Sequence, residues 1–126
     1  MVMIKTYKEL TVWQRSMELV AEIYTVAKSL PKFEVYILAS QMIRAAISVP
    51  ANISEGWARN YRGDFLRFLS ISYASALELE THLLICQKEY PDLNYEKSFA
   101  LLLEVEKMLS SLILKTKSKK SDSISN

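Results

Sequence analysis

His82 and Cys86 stand one helical turn apart, and on a helix they would share a face as a thiolate–imidazole pair. A nucleophile of that kind needs a third group to orient the base, and none lies at a matching spacing. On an apolar stretch the two residues read as core packing. The carboxylates of Glu78 and Glu80 are two residues apart and point in different directions, not at one substrate. A di-metal bundle needs Glu-x-x-His on each of two helices, and the single histidine lacks that motif. Neither Gly56 nor Gly63 belongs to a phosphate-binding loop. The chain is therefore expected to be no enzyme and to hold no cofactor and no metal.

The polar residues with the clearest pattern are Gln41, Arg44, Ser48, Asn52, Glu55 and Arg59, spaced by three or four so that they fall on one helical face. Apolar residues flank them, among them Ile43, Ala46, Val49, Ile53 and Trp57, which predicts a line at least partly enclosed. Enclosed charges need partners. Ser75, Glu78, Glu80, Thr81 and His82 form a facing set that could meet Arg44 across a helix pair. Two readings follow: a structural network that fixes helix register, or a groove for a ligand or partner.

A second polar group is basic. Arg59, Arg62 and Arg67 surround Tyr61 near a break at 60–63, a combination able to neutralise phosphate and stack on a base. The net charge of +2 is unevenly spread. Of 16 Lys and Arg, four (Lys115, Lys117, Lys119 and Lys120) lie in residues 115–126 against one acid, Asp122, of 14. Residues 1–114 thus hold 12 basic against 13 acidic residues and are nearly neutral. Contacts to RNA or DNA are expected at the 59–67 segment and the lysine tail; a solvated loop and a solubilising tail are the alternative.

The elements that must position these groups are helices. Half of the 126 residues are apolar and only five are Gly or Pro, which suits long helices with few connections in one domain. Periodicity predicts helices over 11–30, with Thr11 as N-cap, 33–59, with Pro50 removing a donor, 64–90, and 95–115, with Asn94 as N-cap, each 20 residues or longer. No stretch alternates with period two. Short connections make successive helices antiparallel, giving an all-α up-down four-helix bundle over residues 8–115 and a flexible Ser/Lys tail over 116–126. The first helix carries two apolar stripes, one of them Val12, Leu19, Ile23, Val26 and Leu30, covering roughly half its circumference where about 100° suffices for one core. It is expected to touch two bundle neighbours or a second subunit, with Val12, Leu19, Ile23 and Val26 as candidate oligomer-interface residues. One cysteine cannot form an intramolecular disulfide, no signal peptide is evident, and Arg44, Pro50 and Asn52 interrupt the least charged segment. A cytoplasmic protein with no membrane span is expected.

The segments Phe33-Glu34-Val35-Tyr36-Ile37-Leu38 and Gln41-Met42-Ile43-Arg44-Ala45-Ala46-Ile47-Ser48-Val49-Pro50-Ala51-Asn52-Ile53-Ser54-Glu55-Gly56 resemble the signature of four-helix-bundle proteins encoded in 23S ribosomal RNA intervening sequences. Leu10-Thr11-Val12-Trp13-Gln14, Phe65-Leu66-Arg67-Phe68-Leu69 and Ser75-Ala76-Leu77-Glu78-Leu79-Glu80-Thr81 extend the likeness over about residues 8–92, with Ala74 where the family usually has glycine. The resemblance implies an up-down bundle assembling as a homopentameric ring. It also implies kinship with the accessory variability determinant of diversity-generating retroelements, which works with a reverse transcriptase and RNA. Two functions are then open: a non-enzymatic oligomer that binds RNA or DNA, or an oligomeric adaptor for a protein partner such as a reverse transcriptase.

Overall fold

The computed structural model describes residues 4–118, and among them there are four long helices and no strand. A 3-10 turn at Tyr7–Glu9 leads into α1 (Thr11–Lys28); a second, Lys32–Tyr36, precedes α2 (Leu38–Ala58), followed by α3 (Arg62–Glu89) and α4 (Glu96–Ser118). Each helix packs against the next, and α4 closes against α1, the neighbour pattern of an up-down-up-down bundle. Residues 116–118 of the expected tail continue α4 as helix, and the rest of it, Lys119 and Lys120 included, lies outside the described residues.

Helix ends depart from the periodicity in instructive ways. Thr11 is not the N-cap: Leu10 holds the cap position in extended conformation without a side-chain bond, and Thr11 is already helical. Thr6 instead caps the preceding 3-10 turn by accepting from Lys8 N at 3.4 Å. α1 stops at Lys28, two residues before the expected end, because Ser29 N–H donates to Val26 O at 3.0 Å and tightens the last turn. It is 18 residues long, shorter than expected. Asn94 does cap α4, its Oδ1 accepting from Glu96 N at 3.0 Å. Between α2 and α3 the chain reverses at Asn60, whose φ of 50° is the left-handed conformation that asparagine tolerates better than most residues.

Val12, Leu19, Ile23 and Val26 are at most 5% exposed, and they belong to the core of a single chain. This corrects their assignment to an oligomer interface: α1 sits at a corner between α2 and α4, so its apolar surface must serve two neighbours. On α1 it is Met17 and Tyr24 that stay exposed.

α2 and α3 make the most extensive contact of the bundle. Small residues allow it: Ala45, Ala46, Ser72 and Ala76 are buried along the seam, and Ser72 Oγ donates to Val49 O at 2.8 Å. Gly56 marks the closest approach, since a Cβ there would stand 2.7 Å from Phe68 Cβ and 3.3 Å from Phe65 Cδ1. The glycine of the recognisable α2 segment is thus a packing requirement.

Candidate nucleic-acid interface

Antiparallel order brings the end of α2, the start of α3 and the end of α4 to one pole of the bundle. Arg59 follows the last residue of α2, Arg62 opens α3, Arg67 lies one turn on, and Lys115 and Lys117 lie in the last turn of α4. Arg62 Nη1 donates to Lys117 O at 3.4 Å, tying the start of α3 to the electronegative end of α4. Arg59 and Arg67 both lie over the ring of Phe68, with Cζ 4.9 Å and 4.6 Å from its centroid. Arg59 also pairs with Glu55 at 3.2 Å, and Tyr61 is exposed beside them. The structure therefore gathers five of the seven expected phosphate-contacting residues at one end, with Lys119 and Lys120 outside the described residues. Phe68, the platform for two guanidiniums, carries no signal in one dimension because it meets Arg59 across the turn.

The polar line of α2 divides into separate parts. Its connected centre is Ser48, whose Oγ lies 2.7 Å from Ser75 Oγ and accepts from Asn52 Nδ2 at 2.9 Å. Arg44 was expected to pair across to α3, yet it is exposed and forms no ion pair or hydrogen bond among the described residues; Gln41 is likewise exposed. With Ala45, Ser48, Ser75 and Glu78 they line an open cleft of about 280 Å³ between α2 and α3. Glu78 turns along its own helix to His82 at 3.2 Å. Glu80, two residues on, faces the opposite seam, against Glu106 of α4. The enclosed network is thus shorter than the spacing suggested, because the face of α2 that carries Gln41 and Arg44 rotates out toward solvent.

Glu106 was not singled out in the sequence. Its Oε2 is out of solvent and accepts from no donor among the described residues. Burial first, then a hydrogen bond with Glu80 and the charge of Glu80, push its carboxyl up to about 8, so that it holds a proton at neutral pH and can donate it to Glu80.

His82 and Cys86 do not partner each other. His82 is held by Glu78, while Cys86 is buried and lies 3.4 Å from the Tyr95 hydroxyl. Burial raises the thiol above its ordinary range, which disfavours the thiolate a nucleophile needs. Among the described residues no group of three or more His, Cys, Asp or Glu could hold a metal ion. No helix among them is long and apolar enough to cross a membrane.

At the opposite pole polar groups close on one another. Glu34, buried in the 3-10 turn before α2, accepts from Leu38 N at 3.4 Å through Oε1 and from the Tyr90 hydroxyl at 2.6 Å through Oε2. That bond first, with burial and the Glu34 charge, pushes the Tyr90 phenol up to about 12. The Tyr95 hydroxyl lies 2.7 Å from Tyr90 O and 3.0 Å from Cys86 O, with burial as the main cause of its own raised pKa. A lone acid inside the apolar run Phe33–Leu38 was the signal for this clamp.

Comparison with known proteins bears on the whole bundle. Residues 8–113 match the family described as 23S rRNA-intervening sequence protein. Among solved structures, the chain is similar to a protein of unknown function of the S23 ribosomal protein family from Bacteroides thetaiotaomicron VPI-5482. That likeness has 27% identity and a TM-score of 0.71, covering 82% of this chain and 98% of that one. No curated protein matches the chain.

Proposed function

The chain belongs to the 23S rRNA-intervening sequence protein family, and on that footing we propose that it works without chemistry of its own, as an oligomeric bundle that binds RNA or DNA through its basic pole. The observation that carries this is the convergence of Arg59, Arg62, Arg67, Lys115 and Lys117, drawn from three helix ends. The Phe68 ring holds two of these guanidiniums in place, so less side-chain freedom is lost when a phosphate binds. Assembly as a homopentameric ring is part of the proposal. Exposed apolar side chains on the outer faces of α2 and α3, Ile47, Ile71, Leu77 and Leu84, support it as surface that a neighbour would cover.

Anisotropy titrations of single-stranded and duplex RNA and DNA test the reading, with native mass measurement expected near five times the 14.5 kDa chain. Affinity should fall steeply with salt, and the triple change Arg59→Gln, Arg62→Gln, Arg67→Gln should reduce the logarithmic salt slope by about 2–3. No binding at low salt with the assembly intact would overturn it. A second reading, an adaptor for a protein such as a reverse transcriptase, is favoured by the other pole, where Phe33, Val35, Tyr36 and Ile37 are exposed, Tyr36 by 92%. That reading requires a protein complex that survives nuclease.

A further inference from the structure

The cleft between α2 and α3 differs from the basic pole in position and chemistry. Its walls are Gln41, Arg44, Ala45 and Ser48 from α2 and Ser75 and Glu78 from α3, around about 280 Å³. Arg44 lies 15 residues before Arg59, the residue that follows α2, roughly 22 Å away along the helix axis. It therefore cannot share a phosphate with the basic pole.

The hydrogen-bond inventory of the cleft is unbalanced. Asn52 Nδ2 donates to Ser48 O at 2.8 Å and to Ser48 Oγ at 2.9 Å, and the Ser48 and Ser75 oxygens lie 2.7 Å apart. Whichever serine donates in that last contact, the other hydroxyl proton has no acceptor among the described residues. Ser75 is only 8% exposed and lines the cleft. Beside this spare donor stand the guanidinium of Arg44 and the amide of Gln41, neither of which has a hydrogen-bond partner among the described residues. The one carboxylate on the wall, Glu78, is engaged by His82.

We infer that this cleft is a binding site for a singly charged oxyanion, the phosphodiester or carboxylate group of a ligand, with Arg44 as its charge and Gln41 and the Ser48–Ser75 pair as neutral donors. A guanidinium matches both groups through two parallel N–H···O bonds. The singly charged class follows from the electrostatics: one cation faces the site, and Glu78 on the same wall repels a second negative charge. The site does not depend on the basic pole binding nucleic acid, since a small probe occupies it alone.

The test is a titration of the native assembly with dimethyl phosphate, with acetate and with sulfate, followed by the Arg44 Nε–H and Ser75 amide NMR signals. Saturable shifts are expected for at least one of the two singly charged probes, with a dissociation constant of about 1–10 mM for a single bidentate pair. Dimethyl phosphate binding more tightly identifies a phosphodiester as the natural group, and acetate a carboxylate. Arg44→Gln, at an exposed position, should weaken binding at least about tenfold, and Ser75→Ala about threefold, against unchanged helical circular dichroism. Absence of saturation with both singly charged probes would overturn the site. So would equal affinity in Arg44→Gln, and sulfate binding more tightly than either would overturn its charge class.

Discussion

The two poles of this bundle use polar residues in opposite ways. At the pole where α2 begins and α3 ends, Glu34, Tyr90 and Tyr95 find their partners inside the chain: Glu34 on Leu38 N and Tyr90, Tyr95 on the backbone of Tyr90 and Cys86. At the other, Arg59 and Arg67 rest on one ring and leave their outer edges to solvent, and Arg62 reaches a helix-end carbonyl. The first arrangement specifies how three segments meet and spends its buried donors inside the chain. The second sets Arg62 against the end of α4 and keeps the exposed Arg59 and Arg67 at the surface. A polar constellation is a candidate site to the extent that its donors remain unspent, and the same criterion picks out the Arg44 cleft.

The largest expected effect follows from breaking the closed pole. Glu34→Ala removes the acceptor from a buried backbone N–H and from a phenol, so stability should fall by about 2–3 kcal/mol in urea unfolding. In the native chain the ultraviolet titration of Tyr90 should lag that of ordinary tyrosines, in line with a phenol pushed up to about 12. The folded pKa is raised, so this contribution is complete below about 10 and is lost as pH climbs through about 12. If Glu34→Ala cost no more than a surface substitution, the contrast between the poles would collapse.

A smaller effect lies on the α3–α4 seam between the poles. The Glu106 carboxyl is raised from 4.5 to about 8, so its folded form holds a proton that the unfolded chain releases. The sign follows: its contribution is complete below about 4.5 and is lost as pH rises through about 8. Glu106→Gln keeps a donor toward Glu80 at every pH. The native chain should lose about 1–2 kcal/mol relative to this variant between pH 5 and 9, a figure reduced for solvent screening because the seam is only partly buried. Urea unfolding at the two pH values measures the difference, and parallel behaviour of the two chains would show that the pair does not share a proton.

Much of this was legible in the sequence, for physical reasons that also mark its limits. Helix number, order and approximate span follow from 3.6-residue periodicity and from Pro31, Asn60–Gly63 and Pro91, because those signals are local. The grouping of Arg59, Arg62 and Arg67 was legible because they are near in sequence, and Lys115 and Lys117 joined them through antiparallel order. Rotation about each helix axis was not legible. Arg44 and Glu80 were expected on one enclosed network, yet they face solvent and α4 respectively, and a small rotation decides which. The width of the α1 apolar face was plain, but two stripes serve two neighbours or a second subunit equally well, and only the packing placed Val12, Leu19, Ile23 and Val26 in the core. Glu34, Tyr90 and Glu106 escaped notice because their partners lie on other helices.

The smallest expected stability effect belongs to the basic pole, and it tests the comparison from the other side. Arg59→Gln and Arg67→Gln each remove one guanidinium from the Phe68 ring, and exposed contacts of this kind are worth about 0.5–1 kcal/mol. Arg59 also leaves Glu55, but both partners are about half exposed, at 44% and 53%, so that pair adds little. Because the two cations share one ring, each single variant also relieves their mutual repulsion, and the double variant should lose more than the sum of the singles. Urea unfolding of the two singles and the double closes that cycle. A double variant as unstable as Glu34→Ala would mean that the arginines fix the α2–α3 turn as Glu34 fixes the other end, and the charge at that pole would then need no ligand to explain it.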